Sequence, residues 1–281
     1  MKTNEIKTIL FPTDFSDDSI QSLEAAVQFA KKSNSRLIVL NVVDTPFNFN
    51  MENEPVEIDL ILNDLVNFSK NKLEILSKEI NIKHDVLIET ATYTGETTPS
   101  ITRAVMNFNA DLVIMGTKIT KDLFFKSTSF NIVKNTSVPL LSLPSKQISK
   151  DFKNILFPFN EEFLTLKKAD DVLRFAKLFK SKIILLGISP GDTLESKQAI
   201  TNNLMSIKNM LDKHKIESEV HFKSDSNYSK AILEYTSEHT IDLVTIVNNL
   251  PTALKENLTV LSAKEVINHS SMPVLTIPVR E

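Results

Sequence analysis

The sequence predicts an α/β fold built from two tandem doubly wound domains. Short apolar runs alternate with longer amphipathic stretches along the 281 residues, which is the pattern of parallel strands joined by helices. The apolar runs show little alternation with polar residues, as expected for strands that helices cover on both faces. The same series of segments occurs twice, and the length suits two domains.

The duplication is visible as matched segments in the same order. The matches are residues 7–12 with 153–158, 37–40 with 183–186, 111–113 with 242–244, and 138–141 with 272–275. The offset is 146 residues for the first two pairs, 131 for the third and 134 for the fourth. A period of this length indicates tandem domains rather than a solenoid. We therefore predict domains at residues 1–146 and 151–281, with the boundary in a polar stretch at 145–150.

Within the first half, five apolar runs predict the strands. They are residues 8–12, 36–43, 84–89, 111–115 and 138–143. Stretches with apolar residues at helical spacing lie between them at 20–30, 61–80 and 101–108. Ser16 is the predicted N-cap of the first helix, since Asp17 and Asp18 suit its first turn. Residues 45–55 lie outside the pattern and are expected to form an exposed loop.

The composition excludes several classes of function. The chain has no Cys, which excludes disulfides, thiolate metal sites and cysteine nucleophiles. Its net charge of -3 gives no basic excess that would attract nucleic acid or an anionic membrane. The chain has only 4 glycines, too few to favour a glycine-rich phosphate-binding loop. No apolar run is long enough to span a bilayer, so we expect a cytoplasmic protein.

Motif searches indicate neither a metal site nor a catalytic centre. The histidines are His84, His214, His221, His239 and His269. None stands three or four residues from another, the spacing that would place two ligands on one helix face. Walker loops, nucleophile elbows and the dinucleotide glycine fingerprint are also missing from the sequence. We predict no catalytic residue and no metal ligand.

Polar residues after the first and fourth predicted strands form the candidate binding site. Ligands of open parallel sheets bind beyond the carboxyl ends of the strands, where the strand order reverses. Asp14 follows the first strand and can accept hydrogen bonds from a ribose hydroxyl or an adenine amino group. Gly116 follows the fourth strand and permits close approach of the main chain. For Asp14 taken alone, a solvated loop carboxylate is the simpler interpretation.

The loop after Gly116 contains further polar residues that could bind an anion. They are Lys118 and Lys126, which add positive charge, and Ser127 and Thr128, which can cap the next helix. The free N–H groups of a helix N-terminus favour an anion. A hydroxyl-capped helix preceded by exposed lysines is the simpler alternative.

Four segments of the first half together resemble the universal stress protein family. They are residues 9–16, 40–44, 111–117 and 138–141. Their order and spacing match, and the resemblance covers nearly the whole chain, once in each half. It implies a five-stranded parallel sheet of order 3-2-1-4-5 in each domain. It also implies an internal pseudo-dimer in which the domains pair through their last strands, while a homo-oligomer or a protein partner stays open.

The resemblance also implies a nucleotide site, from which this chain departs. Many members bind ATP through Gly-x2-Gly-x9-Gly-(Ser/Thr) after the fourth strand, an Asp after the first and a Val after the second. The resemblance places these roles on Asp14, Val42, Gly116, Ser127 and Thr128. We include Thr13, next to Asp14, among the candidate binding residues. Ile119 stands at the second glycine position and Lys126 at the last, and the loop is three residues short. A β-carbon there can block the main chain from wrapping a triphosphate.

The second half departs from the family in a different way. Its loop has the full length, but larger apolar residues replace every glycine, and Phe159 and Asn160 stand at the positions of Thr13 and Asp14. We expect apolar residues to fill the cleft at the carboxyl ends of the strands in this half. The leading hypothesis is a non-catalytic binding module in a stress response, with degraded nucleotide sites and no firm cofactor. The alternatives are an ATP-binding switch in the first domain, with lysines as phosphate donors, and an apolar small-molecule pocket in the second.

Overall fold

The computed structural model describes residues 5–44, 55–117, 128–144, 151–160, 169–191, 194–248 and 258–278. The chain divides into two compact units. We call Ile6–Gly116 the N-terminal unit, and Thr117–Glu281 with Met1–Glu5 the C-terminal unit. The predicted domain boundary at residues 145–150 and the predicted loop at 45–54 lie outside the described residues.

Parallel strands and helices alternate in the N-terminal unit. The strands are β1 (Thr8–Thr13), β2 (Arg36–Val43), β3 (Glu89–Thr94) and β4 (Leu112–Thr117). The helices are α1 (Asp17–Ser33), α2 (Pro55–His84) and α3 (Thr97–Asn107). The strand order is β3-β2-β1-β4. Strands β1 and β2 are almost entirely buried, as their continuous apolar runs predict.

The C-terminal unit contains the remaining elements. Its strands are β5 (Leu140–Pro144), β6 (Asn154–Phe159), β7 (Lys182–Ser189), β8 (Ser218–Ser224), β9 (Leu243–Asn248) and β10 (Val274–Pro278). Its helices are α4 (Thr128–Asn135), α5 (Ala169–Phe179), α6 (Leu194–Lys213), α7 (Tyr228–Glu238) and α8 (Leu258–His269). The strand order is β5-β10-β9-β6-β7-β8. The second half thus shows the predicted order 3-2-1-4-5 in full, and the doubly wound α/β class is confirmed.

The last strands of the two sequence halves pair with each other. Strand β5 runs antiparallel to β10, with Leu141 opposite Leu275, whereas β10 runs parallel to β9. Both β5 and β10 are buried along their length. The antiparallel pair is therefore part of the core of the C-terminal unit.

The predicted third strand of the first half is wrong. Helix α2 continues past its predicted end near Ile80 to His84, and Asp85 leaves it with φ at +54°. The strand follows at Glu89–Thr94 and is largely polar and partly exposed. It ends the strand order of its unit, and among the described residues it pairs with β2 alone. An apolar run therefore does not mark it, and only its threonines and Tyr93 give a strand signal.

Individual contacts are duplicated as well as the strands. Asp111 accepts a hydrogen bond from the Thr8 N–H (3.1 Å), and Asp242 accepts the matching one from the Asn154 N–H (2.8 Å). The Ser35 hydroxyl donates to Ile6 O, and the Ser181 hydroxyl donates to Phe152 O. The ion pair Arg36–Glu89 matches the ion pair Lys182–Glu219. The two halves thus share a hydrogen-bonded framework as well as a fold.

Candidate functional site

The carboxyl end of β1 lies where the strand order of the N-terminal unit reverses. Strand β1 pairs with β2 over its full length, ending with Thr13 opposite Asn41. Its pairing with β4 ends earlier, at Leu10 opposite Val113. Thr13 and Gly116 therefore lie beyond the paired part of β1 and β4. This is the position at which doubly wound sheets bind ligands.

A hydrogen-bonded turn connects β1 to α1. The Thr13 hydroxyl oxygen accepts hydrogen bonds from the Phe15 N–H (3.0 Å) and the Ser19 hydroxyl (2.9 Å). Asp14 Oδ1 accepts from the Ser16 N–H (3.0 Å) and the Ser16 hydroxyl (2.5 Å). Phe15 has φ of +60°, a left-handed conformation that a bulky side chain adopts only where its surroundings impose it. The turn is therefore held in one strained conformation.

Helix α1 begins as the sequence predicts. Ser16 is its N-cap, and the Ser16 side chain accepts a hydrogen bond from the Ser19 N–H at 3.3 Å. Asp17 and Asp18 occupy the first turn, where acidic side chains complement the helix dipole. The cap stands two residues after Asp14 and fixes the start of α1 at Asp17. Asp14 is exposed at this point, whereas Thr13 is buried.

A polar cluster connects the ends of β1, β2 and β3 to α2. The Asn41 side-chain amide donates to the main-chain oxygen of Thr13 (2.8 Å) and its Oδ1 accepts from the Ser69 hydroxyl (2.8 Å). The Ser69 and Thr92 hydroxyls lie 3.2 Å apart. Asn41 and Ser69 are only 8% and 2% exposed. We call Asn41, Ser69 and Thr92 the relay.

Sequence reasoning missed the relay, although one signal was present. Asn41 interrupts the apolar run of β2 at a position that matches Gly187 in the second half. A polar residue inside a buried strand needs partners, and these lie on α2 and β3. Val42, the predicted site residue, directly follows Asn41, is half-buried and stands opposite Tyr93. Thr13, Asp14 and Val42 are thus brought together at the ends of neighbouring strands.

Gly116 has a packing role that the sequence did not show. A β-carbon at Gly116 would lie 2.7 Å from Ser22 Oγ and 3.1 Å from the main-chain oxygen of Asp18. Ser22 also donates a hydrogen bond to that Asp18 oxygen, at 2.8 Å. The missing side chain therefore faces the first turns of α1. The glycine lets the end of β4 approach this helix closely.

The remaining predicted site residues follow Gly116. Lys118, Lys126 and Ser127 lie outside the described residues. Thr128 is the first residue of α4, in the C-terminal unit, and is half-buried. The anion-binding role predicted for these four residues stays a prediction.

The second half carries apolar residues at the places of the relay and Thr13. Phe159 is 1% exposed and stands opposite Gly187, which in turn stands opposite Phe222. A β-carbon at Gly187 would lie 2.6 Å from Ile200 Cγ2 and 3.1 Å from the Phe222 ring. By strand register and alignment, Phe159, Gly187 and Phe222 replace Thr13, Asn41 and Thr92. Ile200 on α6 takes the place of Ser69 on α2.

Comparison with known proteins identifies the family. Residues 5–144 match the family model of the universal stress protein family. Through this half, the chain belongs to the universal stress protein family. No curated protein matches the sequence.

Solved structures of universal stress proteins resemble the whole chain. One from Archaeoglobus fulgidus DSM 4304 is 19% identical, with a TM-score of 0.73, and the match covers 98% of this chain and 97% of that one. A putative universal stress protein from Pseudomonas aeruginosa UCBPP-PA14 is 13% identical, with a TM-score of 0.65, and the match covers 98% and 94%. At these identities the likeness shows the fold alone, and it extends over both halves.

Charged pairs in this universal stress protein lie away from the candidate site. The hydrogen bond from Arg36 lowers the pKa of Glu89, and the one from Lys182 lowers the pKa of Glu219. Arg36, Lys182 and their partners stand at the amino ends of their strands or one residue inside them. They therefore stabilise the amino ends of the strands, whereas Thr13 and Phe159 lie at the carboxyl ends.

Two further properties bear on the chemistry. Among the described residues, no group of three or more histidine and carboxylate side chains is placed to hold a metal ion. Within the same part of the chain, no helix is both long and apolar enough to cross a bilayer.

Proposed function

We propose that this universal stress protein is a non-catalytic binding module in a stress response, with a weak nucleotide site at the sheet end of the first half and none in the second. One observation carries the proposal. The relay and Thr13 form a polar, hydrogen-bonded end to the first-half sheet. In the second half, three apolar residues and one glycine stand at the same places. The binding chemistry is therefore asymmetric.

The nucleoside part of an adenine nucleotide suits the residues at the first-half site. Asp14 is exposed at the end of β1, and its carboxylate oxygens are hydrogen-bond acceptors. Ribose hydroxyls are donors of the matching kind. The half-buried Val42 beside it offers apolar surface to a base.

The phosphate part of a nucleotide has weaker support. The chain keeps Gly116 from the family's loop but has Ile119 and Lys126 at the other glycine positions. The missing side chain of Gly116 faces Ser22 on α1. We therefore propose that nucleoside contacts provide most of the binding and that phosphates add little.

A titration series tests this proposal. Adenosine, AMP and ATP are expected to bind with similar dissociation constants on the order of 1 mM, because a few exposed hydrogen bonds of about 1 kcal/mol each give affinities of this size. Asp14→Ala should weaken all three. Asn160→Ala, the same truncation at the matched position of the second half, should change none of them.

The second candidate is an ATP-binding switch with slow hydrolysis. Lys118 and Lys126 favour it, because a lysine can bind a phosphate as a point charge where main-chain N–H groups are missing. ATP that copurifies with the protein would support this candidate. A micromolar dissociation constant for ATP that Asp14→Ala abolishes would support it as well, and either result would overturn the first proposal.

The domain organisation is part of the proposal. We propose domains at residues 1–146 and 151–281 that form an internal pseudo-dimer through their last strands. The antiparallel pairing of β5 with β10 supports it. A module of this kind acts through a further protein, which is either a second copy or a different partner. Light scattering and affinity capture from the native host would separate these two.

A further inference from the structure

The hydrogen bonds of the relay have a defined direction. Ser69 has one hydroxyl proton and donates it to Asn41 Oδ1 at 2.8 Å. In the 3.2 Å contact between Ser69 and Thr92, the Thr92 hydroxyl must therefore be the donor. Asn41 in turn donates to the main-chain oxygen of Thr13. The chain of donors thus runs from β3 through α2 and β2 to the last residue of β1.

Two members of the relay, Asn41 and Ser69, are buried, and Thr92 is half-buried. A buried amide or hydroxyl that lost its partner would be penalised, because water could not replace the lost bond. Asn41 is held from β2, Ser69 from α2 and Thr92 from β3. Asn41 alone bonds the main-chain oxygen of Thr13, and Ser69 and Thr92 support Asn41 from α2 and β3.

Fixing the Thr13 carbonyl also fixes Asp14. The peptide group is planar, so the orientation of the Thr13 carbonyl sets that of the Asp14 N–H and Cα. The Thr13 hydroxyl holds the next residue but one, Phe15, through its N–H. We propose that the relay is a positioning device that holds the Asp14 carboxylate in the orientation required to bind a ligand hydroxyl, and this rests on the proposed nucleotide site.

The second half provides an independent observation. Phe159, Gly187, Ile200 and Phe222 replace Thr13 and the three relay residues. At the position of Asp14 the second half has Asn160. In the second half, the carboxylate and the hydrogen bonds of the relay are therefore absent together. This is expected if the relay exists to position the carboxylate.

Two substitutions of Thr92 separate positioning from stability. Thr92→Val keeps the shape and removes the hydroxyl, whereas Thr92→Ser keeps the hydroxyl and removes a methyl group. Valine is favoured over serine in strands. If Thr92 has a purely structural role, Thr92→Val should therefore keep more stability and more adenosine affinity than Thr92→Ser. The relay predicts the opposite order for adenosine affinity. We expect a loss of about threefold to fivefold for Thr92→Val and little change for Thr92→Ser.

Matched variants complete the design. Thr90→Val makes the same change two residues away on the same strand, outside the relay, and should leave adenosine affinity unchanged. Ser69→Ala and Asn41→Leu interrupt the relay closer to Thr13 and should reduce the affinity more, by about tenfold for Asn41→Leu, which removes two hydrogen bonds. If Asn41→Leu does not fold, the Thr92 pair still decides the question. Equal affinities of Thr92→Val and Thr92→Ser would overturn the proposal.

A ligand-free measurement distinguishes this inference from the proposed function. Amide chemical shifts of Asp14, Phe15 and Ser16 are recorded by NMR without nucleotide. Ser69→Ala and Thr92→Val should shift them, and Thr90→Val should not. If the wild-type protein binds no adenosine but these shifts occur, the proposed function fails and the structural coupling stands. If the three signals do not move in Ser69→Ala and Thr92→Val, the positioning role is overturned, whether or not adenosine binds.

Discussion

The two halves of this chain are alike at the amino ends of their strands and different at the carboxyl ends. At the amino ends, Asp111 and Asp242 accept the same main-chain hydrogen bond, and the ion pairs Arg36–Glu89 and Lys182–Glu219 stand at matched positions. At the carboxyl ends, a polar relay in one half is replaced by apolar contacts in the other. The two halves thus share the contacts at the amino ends of the strands and differ at the carboxyl ends, where doubly wound sheets bind ligands.

The largest expected effect is at the apolar counterpart of Thr13. Phe159→Ala should reduce the free energy of unfolding by about 3–5 kcal/mol, because it empties the site of a fully buried ring. Phe222→Ala is the control, since Phe222 is 57% exposed and should cost less. Urea unfolding measures both. A smaller loss for Phe159→Ala than for Phe222→Ala would show that Phe159 does not fill the second-half cleft.

Glycine substitutions give the next largest effects. Gly116→Ala and Gly187→Ala should each destabilise the fold by about 1–3 kcal/mol, because the added β-carbon meets Ser22 in one case and Ile200 in the other. Gly191→Ala is the control, because nothing lies within 4 Å of its added carbon. Thermal or urea unfolding reports the difference. If Gly116→Ala is as stable as Gly191→Ala, the close contact of β4 with α1 is not a constraint.

The smallest expected effect concerns the shared framework. Glu89→Gln should reduce the free energy of unfolding at pH 7 by at most about 1 kcal/mol, because both partners of the Arg36 pair are roughly half exposed. Arg36 depresses the pKa of Glu89 in the folded protein below the ordinary 4.5. The stabilisation is therefore complete above that value and is lost as the pH falls through the depressed pKa.

Urea unfolding of wild type and Glu89→Gln at several pH values checks the sign. The two curves should converge as the solution becomes more acidic than pH 4.5. Glu219→Gln should follow the same direction, because Lys182 depresses the pKa of Glu219 in the same way. A difference that grows towards acidic pH would contradict the account, and opposite trends in the two halves would show that the framework is not shared.

The sequence predicted the parts of the fold that depend on continuous apolar runs. Strand β2 was predicted with its observed bounds, and β1 within one residue. Strand β3 was misplaced because its residues are polar and it lies at the edge of the sheet. Helix α2 likewise extends past its predicted end near Ile80 to His84. The sequence of residues 84–89 has the apolar content of a strand, which led to a strand prediction there.

The candidate site was predictable where it depends on strand ends. Thr13, Asp14 and Val42 come together because parallel strands end at one edge of a sheet. Ser69 could not be found, since it is one polar residue on a 30-residue helix whose orientation the sequence leaves undetermined. Thr92 could not be found because it lies on the misplaced strand. Their contact depends on strand register and helix position together, and neither follows from local sequence.

The asymmetry of the two halves is tested most directly by mapping adenosine binding onto the chain with residue-resolved NMR. We expect chemical-shift changes at residues 13–16 and 41–43, none at 159–160 or 187–189, and a similar dissociation constant when ATP replaces adenosine. Shift changes of equal size at the strand ends of the second half would contradict the proposed asymmetry, as would micromolar binding of ATP that adenosine does not reproduce.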